Sequence, residues 1–137
     1  MNYIIIIVIK SYSQTITHSY IRRYYGRDDD IEDYIRKQLN ASTVFKTNIS
    51  PLLGKADDVY KNLKLFANGD NLFSGIKEIN QIGSLFFDPI GSIFLMGDII
   101  ITKKSKFGSL QEDDLSKIIK TFNNALEMVN SSWGYVN

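Results

Sequence analysis

The sequence predicts an α+β protein: an antiparallel sheet of about five strands with helices packed on it. Three observations carry this. The run "YIIIIVIK" at 3–10 is apolar and β-branched at nearly every position, as a central strand is. Residues 84–104 alternate short apolar runs with turn pairs, as a meander does. From 109 onward an apolar stripe recurs at helical spacing for some twenty residues, as a long amphipathic helix requires.

Each element follows in order. The segment 3–10 predicts the first strand, and "SYSQ" (11–14) has the composition of a turn. Residues 15–25 predict a second strand, rich in Ile, Thr and Tyr, and the pair forms an N-terminal hairpin. Gly26 breaks it. Asp28, Asp29 and Asp30 then stand where a helix begins, because acids complement exposed N–H groups and the positive end of the helix dipole. Ile31, Tyr34, Ile35 and Leu39 give that helix an apolar face to about residue 40. Residues 43–49 read as a short strand or a loop. A helix over 57–67 would bury Val59, Leu63 and Phe66, with "NG" (68–69) ending it. Asp70 reads as the cap of a further short helix carrying Phe73, Ile76 and Ile79.

Residues 84–87, 92–96 and 99–104 predict a three-stranded meander, with "DPIG" (88–91) and "GD" (97–98) as its turns. Ser109 with Glu112 fits a capping box. Leu115, Ile118, Ile119, Phe122, Leu126 and Val129 then build the closing helix. No repeat or Pro/Gly/Ser-rich linker divides the chain, so 1–137 reads as a single domain, with the helices on one face of the sheet. The order β-β-α…β-β-β-α resembles that of longin-like and profilin-like domains. It is a likeness of topology that rests on no motif, and fold does not imply function.

Composition excludes several chemistries. The 137 residues contain no cysteine and one histidine, His18. Disulfides, thiolate nucleophiles, Cys-ligated metals and His-pair sites within one chain are therefore ruled out. Sixteen basic and 15 acidic side chains nearly cancel to +1, so there is no global pull toward nucleic acid or an anionic membrane. The apolar N-terminal run is far below the ~20 residues of a membrane span and lacks a basic lead-in, so it reads as a buried strand. No glycine-rich phosphate loop is present. No catalytic residue, metal ligand or cofactor is assigned.

Four groups of residues bear on function. Arg22, Arg23 and Arg27, with Tyr24 and Tyr25, form a basic and aromatic cluster, and Lys103, Lys104 and Lys106 form a second. On a shared surface they would grip a phosphate backbone and stack bases. The bland reading of both is a solvated strand edge, and the acids at 28–30 oppose an anion. Asp28–30 with Glu32 and Asp33 do not follow the alternating calcium-loop pattern and read as helix-start acids. Asp88, Asp98 and Lys103 would suit a metal-dependent hydrolase, yet turn roles explain both aspartates. Finally, the meander is apolar on both faces. Phe86, Phe87, Phe94, Trp133 and Tyr135 are candidate interface residues. The expected function is a cytoplasmic, non-enzymatic protein that acts by protein–protein recognition as a homodimer, with another protein as the alternative partner. A nucleic-acid accessory protein is the second expectation and the hydrolase the third.

Overall fold

The computed structural model describes residues 2–11, 14–23, 28–49, 62–70, 79–88, 94–103 and 109–134. Among these, only the backbone is described at 2–3, 18–23, 28–31, 128 and 130–134. Strands β1 (Asn2–Lys10), β2 (Thr15–Arg23), β3 (Val44–Asn48), β4 (Leu63–Asn68) and β5 (Ile99–Lys103) form one antiparallel sheet in the order β2-β1-β5-β4-β3. Helices α1 (Asp28–Gln38), α2 (Gln81–Leu85) and α3 (Glu112–Gly134) are the helices among the described residues.

The continuous apolar run of β1 is explained by burial on both sides. Ile7 and Ile9 join Leu63, Leu65, Ala67, Ile99 and Ile101 in a core beneath α2 and α3, which add Ile82, Ile118, Phe122 and Ala125. Ile4, Ile6 and Val8 face the other way, with Phe66 and Ile100, and are covered by Ile35 of α1 and Leu39 just past its end. Alternate positions of one strand thus feed two cores. The expectation of helices on one face is corrected: α1 lies on one side of the sheet and α2 with α3 on the other.

Three expected elements differ. The residues 63–68 form β4 and not the end of a helix, because Leu63, Leu65 and Ala67 alternate onto the α2–α3 core while Phe66 serves the opposite one. Burial on both faces overrode the helical spacing of Leu63 and Phe66. The residues 84–87 form no strand. Ser84 and Leu85 end α2, and Phe86 plugs the core at 0% exposure. In the stretch 92–96, residues 94–96 make only a single bridge, Met96 to Ile79. The meander is therefore replaced by a β3–β4–β5 arrangement, with β5 falling within the expected third run at 99–104. The further helix expected after Asp70 falls at 71–78, outside the described residues, as do 57–61 and the turn at 89–91.

Helix ends follow from local chemistry. α1 ends in a Schellman motif: Ala41 N–H donates to Arg36 C=O at 3.1 Å and Asn40 N–H to Lys37 C=O at 3.0 Å. Asn40 takes the left-handed conformation this needs, at φ 51°. The buried Asn68 side chain donates to the carbonyls of Leu39 and Asn40, both at 3.2 Å, and so ties the end of α1 to β4. At the start of α3, Asp114 rather than Glu112 makes the reciprocal cap, accepting from Gln111 N–H at 2.9 Å. Ser109 instead serves β1. Its hydroxyl accepts from Ile5 N–H at 2.9 Å while Leu110 N–H donates to Ile5 C=O at 3.1 Å, so Ile5 is satisfied beyond the last β5 partner.

Candidate functional site: a groove at the sheet edge

A groove of about 480 Å³ opens between α1 and β3. Glu32, Asp33, Ile35 and Arg36 come from the helix. Ser42, Thr43, Val44 and Lys46 come from the strand and its approach, and Phe66 from β4. Its floor is apolar, because Ile35 and Phe66 belong to the α1-side core and Val44 packs against it. Its rim is ionic and internally paired. Arg36 reaches Asp33 at 2.7 Å and Lys46 reaches Glu32 at 3.6 Å, all four side chains being about half exposed. Such exposed pairs are worth at most about 1 kcal/mol each, so they yield easily to a ligand's own charges.

The strand side of the groove is held from below. The Asp70 carboxylate accepts from Ser42 N–H at 2.7 Å and Thr43 N–H at 2.6 Å. Gly69 N–H donates to Thr43 C=O at 2.8 Å, and a Cβ at Gly69 would come within 3.0 Å of that oxygen. The approach to β3 therefore has little freedom. On the other face of the same strand, Phe45 meets Phe87 edge-to-face with ring centroids 5.4 Å apart.

The residues singled out by sequence are distributed as follows. β2 and β5 both run antiparallel to β1 and flank it. Their carboxyl ends, with Arg22 and Arg23 on one and Lys103 on the other, therefore lie at the same end of the sheet. Lys103 is engaged by Asp114 at 3.5 Å, and Glu112 and Asp113 stand beside it in the first turn of α3. Tyr24, Tyr25, Arg27, Lys104 and Lys106 lie outside the described residues. Phe86 is wholly buried and presents no surface, Phe87 is half-buried, and Phe94 is 39% exposed. Trp133 sits in the last turn of α3, and Tyr135 lies outside the described residues.

Asp98 and Lys103 have separate partners. Asp98 accepts from Ser11 N–H at 3.0 Å and meets Lys10 at 3.3 Å, where it closes the end of β1. Lys103 stands five residues along β5, roughly 16 Å away at ~3.3 Å per residue. Among the described residues, no three His, Asp or Glu side chains gather as metal ligands would. No described helix is long and apolar enough to cross a membrane.

Sequence reasoning missed the groove. Glu32 and Asp33 read from sequence as helix-start acids, Ile35 as an apolar helix position, 43–46 as a short strand or loop and Phe66 as part of a helix, and nothing in these segments announces that the sheet order sets them side by side. No family model, no curated protein and no solved structure matches this chain.

Proposed function

We propose that this chain is a small non-enzymatic binding protein that recognises another protein through the groove between α1 and β3. The observation that carries the reading is the groove itself: an apolar floor with an exposed, weakly paired ionic rim, beside an edge strand of the sheet. Weakly held surface charges can re-pair with a partner's, and an open strand edge offers main-chain groups to another chain. Of the expected meander, Ile100 is covered from the α1 side while Phe94 stays 39% exposed.

A photo-crosslinking side chain at exposed Thr43, compared with one at exposed Thr17 on β2, tests this. The expected result is a protein adduct at position 43 that excess unlabelled protein competes away, and none at 17. Adducts of equal yield at both positions, or at neither, contradict the reading.

A second reading, nucleic-acid binding, draws support from the convergence of the β2 and β5 ends, which brings Arg22, Arg23 and Lys103 to one end of the sheet. The acids opening α3 oppose it there.

A further inference from the structure

Resting on the binding reading above, we propose that the partner is engaged by strand addition: an extended segment of another protein pairs with the outer edge of β3 and extends the sheet to six strands.

The backbone dictates the mode. Among the described residues β3 is the last strand of its sheet, and its register with β4 pairs Val44 with Asn68 and Lys46 with Phe66. The bond from Gly69 N–H to Thr43 C=O marks residue 43 as turned toward β4. In an antiparallel pair, residues turned toward the partner alternate with residues turned away. Phe45 and Thr47 therefore bond to β4, while the N–H and C=O of Val44, Lys46 and Asn48 point off the edge. Among the described residues nothing pairs with them. A row of such groups is a template for another chain's backbone.

The side chains describe the occupant. On an added strand, alternate residues would lie over the groove, beside Val44 and Lys46. The others would lie on the opposite face, against the half-buried pair of Phe45 and Phe87. The segment that fits has apolar residues at every second position and an acid opposite Lys46, which Glu32 holds only at 3.6 Å. A second copy fits less well. Antiparallel self-pairing centred on Lys46 sets two lysines directly opposite, a destabilising arrangement, and an edge lysine is a common guard against self-association.

The test selects binders from a phage-displayed library of random peptides, using the intact protein as bait, and remakes the best one synthetically. The expected binder alternates apolar and polar residues, carries an acid, and perturbs the amide signals of Val44 and Lys46 on titration. N-methylation of its alternate amides should weaken it about tenfold or more, the loss of one or two hydrogen bonds. Lys46→Pro removes an outward N–H at an edge where proline is tolerated and should weaken binding similarly. The methylated peptide tests the mode on unaltered protein should that variant misfold. A binder that perturbs α1 or the groove floor but is indifferent to methylation overturns strand addition while leaving the binding reading standing. No enriched binder overturns both. A doubling of mass with concentration, with β3 signals shifting in parallel, assigns the edge to a second copy and overturns the proposal.

Discussion

Asn80→Ala should be among the most damaging single substitutions outside the apolar core. Asn80 is fully buried. Its amide donates to Ile9 C=O at 2.8 Å and Gly97 C=O at 2.9 Å, and its carbonyl oxygen accepts from Gly83 N–H at 3.0 Å. One side chain thus caps α2, ties it to the end of β1 and holds the bend before β5. Alanine leaves two carbonyls and one N–H without partners in the interior. Each lost bond costs about 1 kcal/mol net, and stranded buried groups cost more. The sum is about 3–4 kcal/mol, a large part of the roughly 5–15 kcal/mol that holds a domain together. With a urea slope of about 2 kcal/mol/M, the unfolding midpoint should fall by about 1.5–2 M. Asn80→Asp keeps the oxygen that caps α2 but turns a carboxylate toward two carbonyl oxygens, so it should be at least as damaging. An Asn80→Ala midpoint within about 0.3 M of the parent would show that these bonds do not secure α2, and the reasoning would fall.

Other outcomes follow from the same geometry. Gly83→Ala gains helix propensity but sets a Cβ 2.7 Å from both Asn80 Oδ1 and Ile99 Cδ1, neither with room to retreat. Overpacking should win, with a net loss of about 1–2 kcal/mol by urea unfolding. Asn40→Ala should cost about 1 kcal/mol because alanine resists the left-handed conformation at the end of α1, whereas Asn40→Gly should match or slightly exceed the parent in thermal unfolding. If the nucleic-acid reading holds, filter binding should fall steeply between two salt concentrations, and Arg22→Ala with Arg23→Ala should flatten that slope. No retention at low salt removes that reading.

The fold was legible wherever one signal spanned a whole element. β1 is apolar from Tyr3 to Ile9 because both sides of it are buried, and α3 follows the stripe through Leu115, Ile118, Phe122, Leu126 and Val129, whereas Ile119, expected on that stripe, is 36% exposed. Legibility failed where two periods overlapped. Leu63 and Phe66 fit a helix as well as a strand, and only the partners β3 and β5 decide between them. It failed again where a polar residue ruled. Asn80 caps a helix over 81–85 that takes in the first half of an apolar "SLFF" otherwise reading as β, and asparagine's preference for the N-cap is the sign of it available in the sequence. The groove was beyond local reading. Glu32 and Lys46 meet only because the sheet order sends β3 to the edge beside α1.

The most direct test of the open edge is residue-by-residue amide hydrogen exchange along β3 in the free protein. Exchange should alternate: slow at Phe45 and Thr47, whose N–H groups bond to β4, and fast at Val44 and Lys46, whose N–H groups face outward. Uniform protection of all four would mean that the edge is already occupied, and recognition through it would be contradicted.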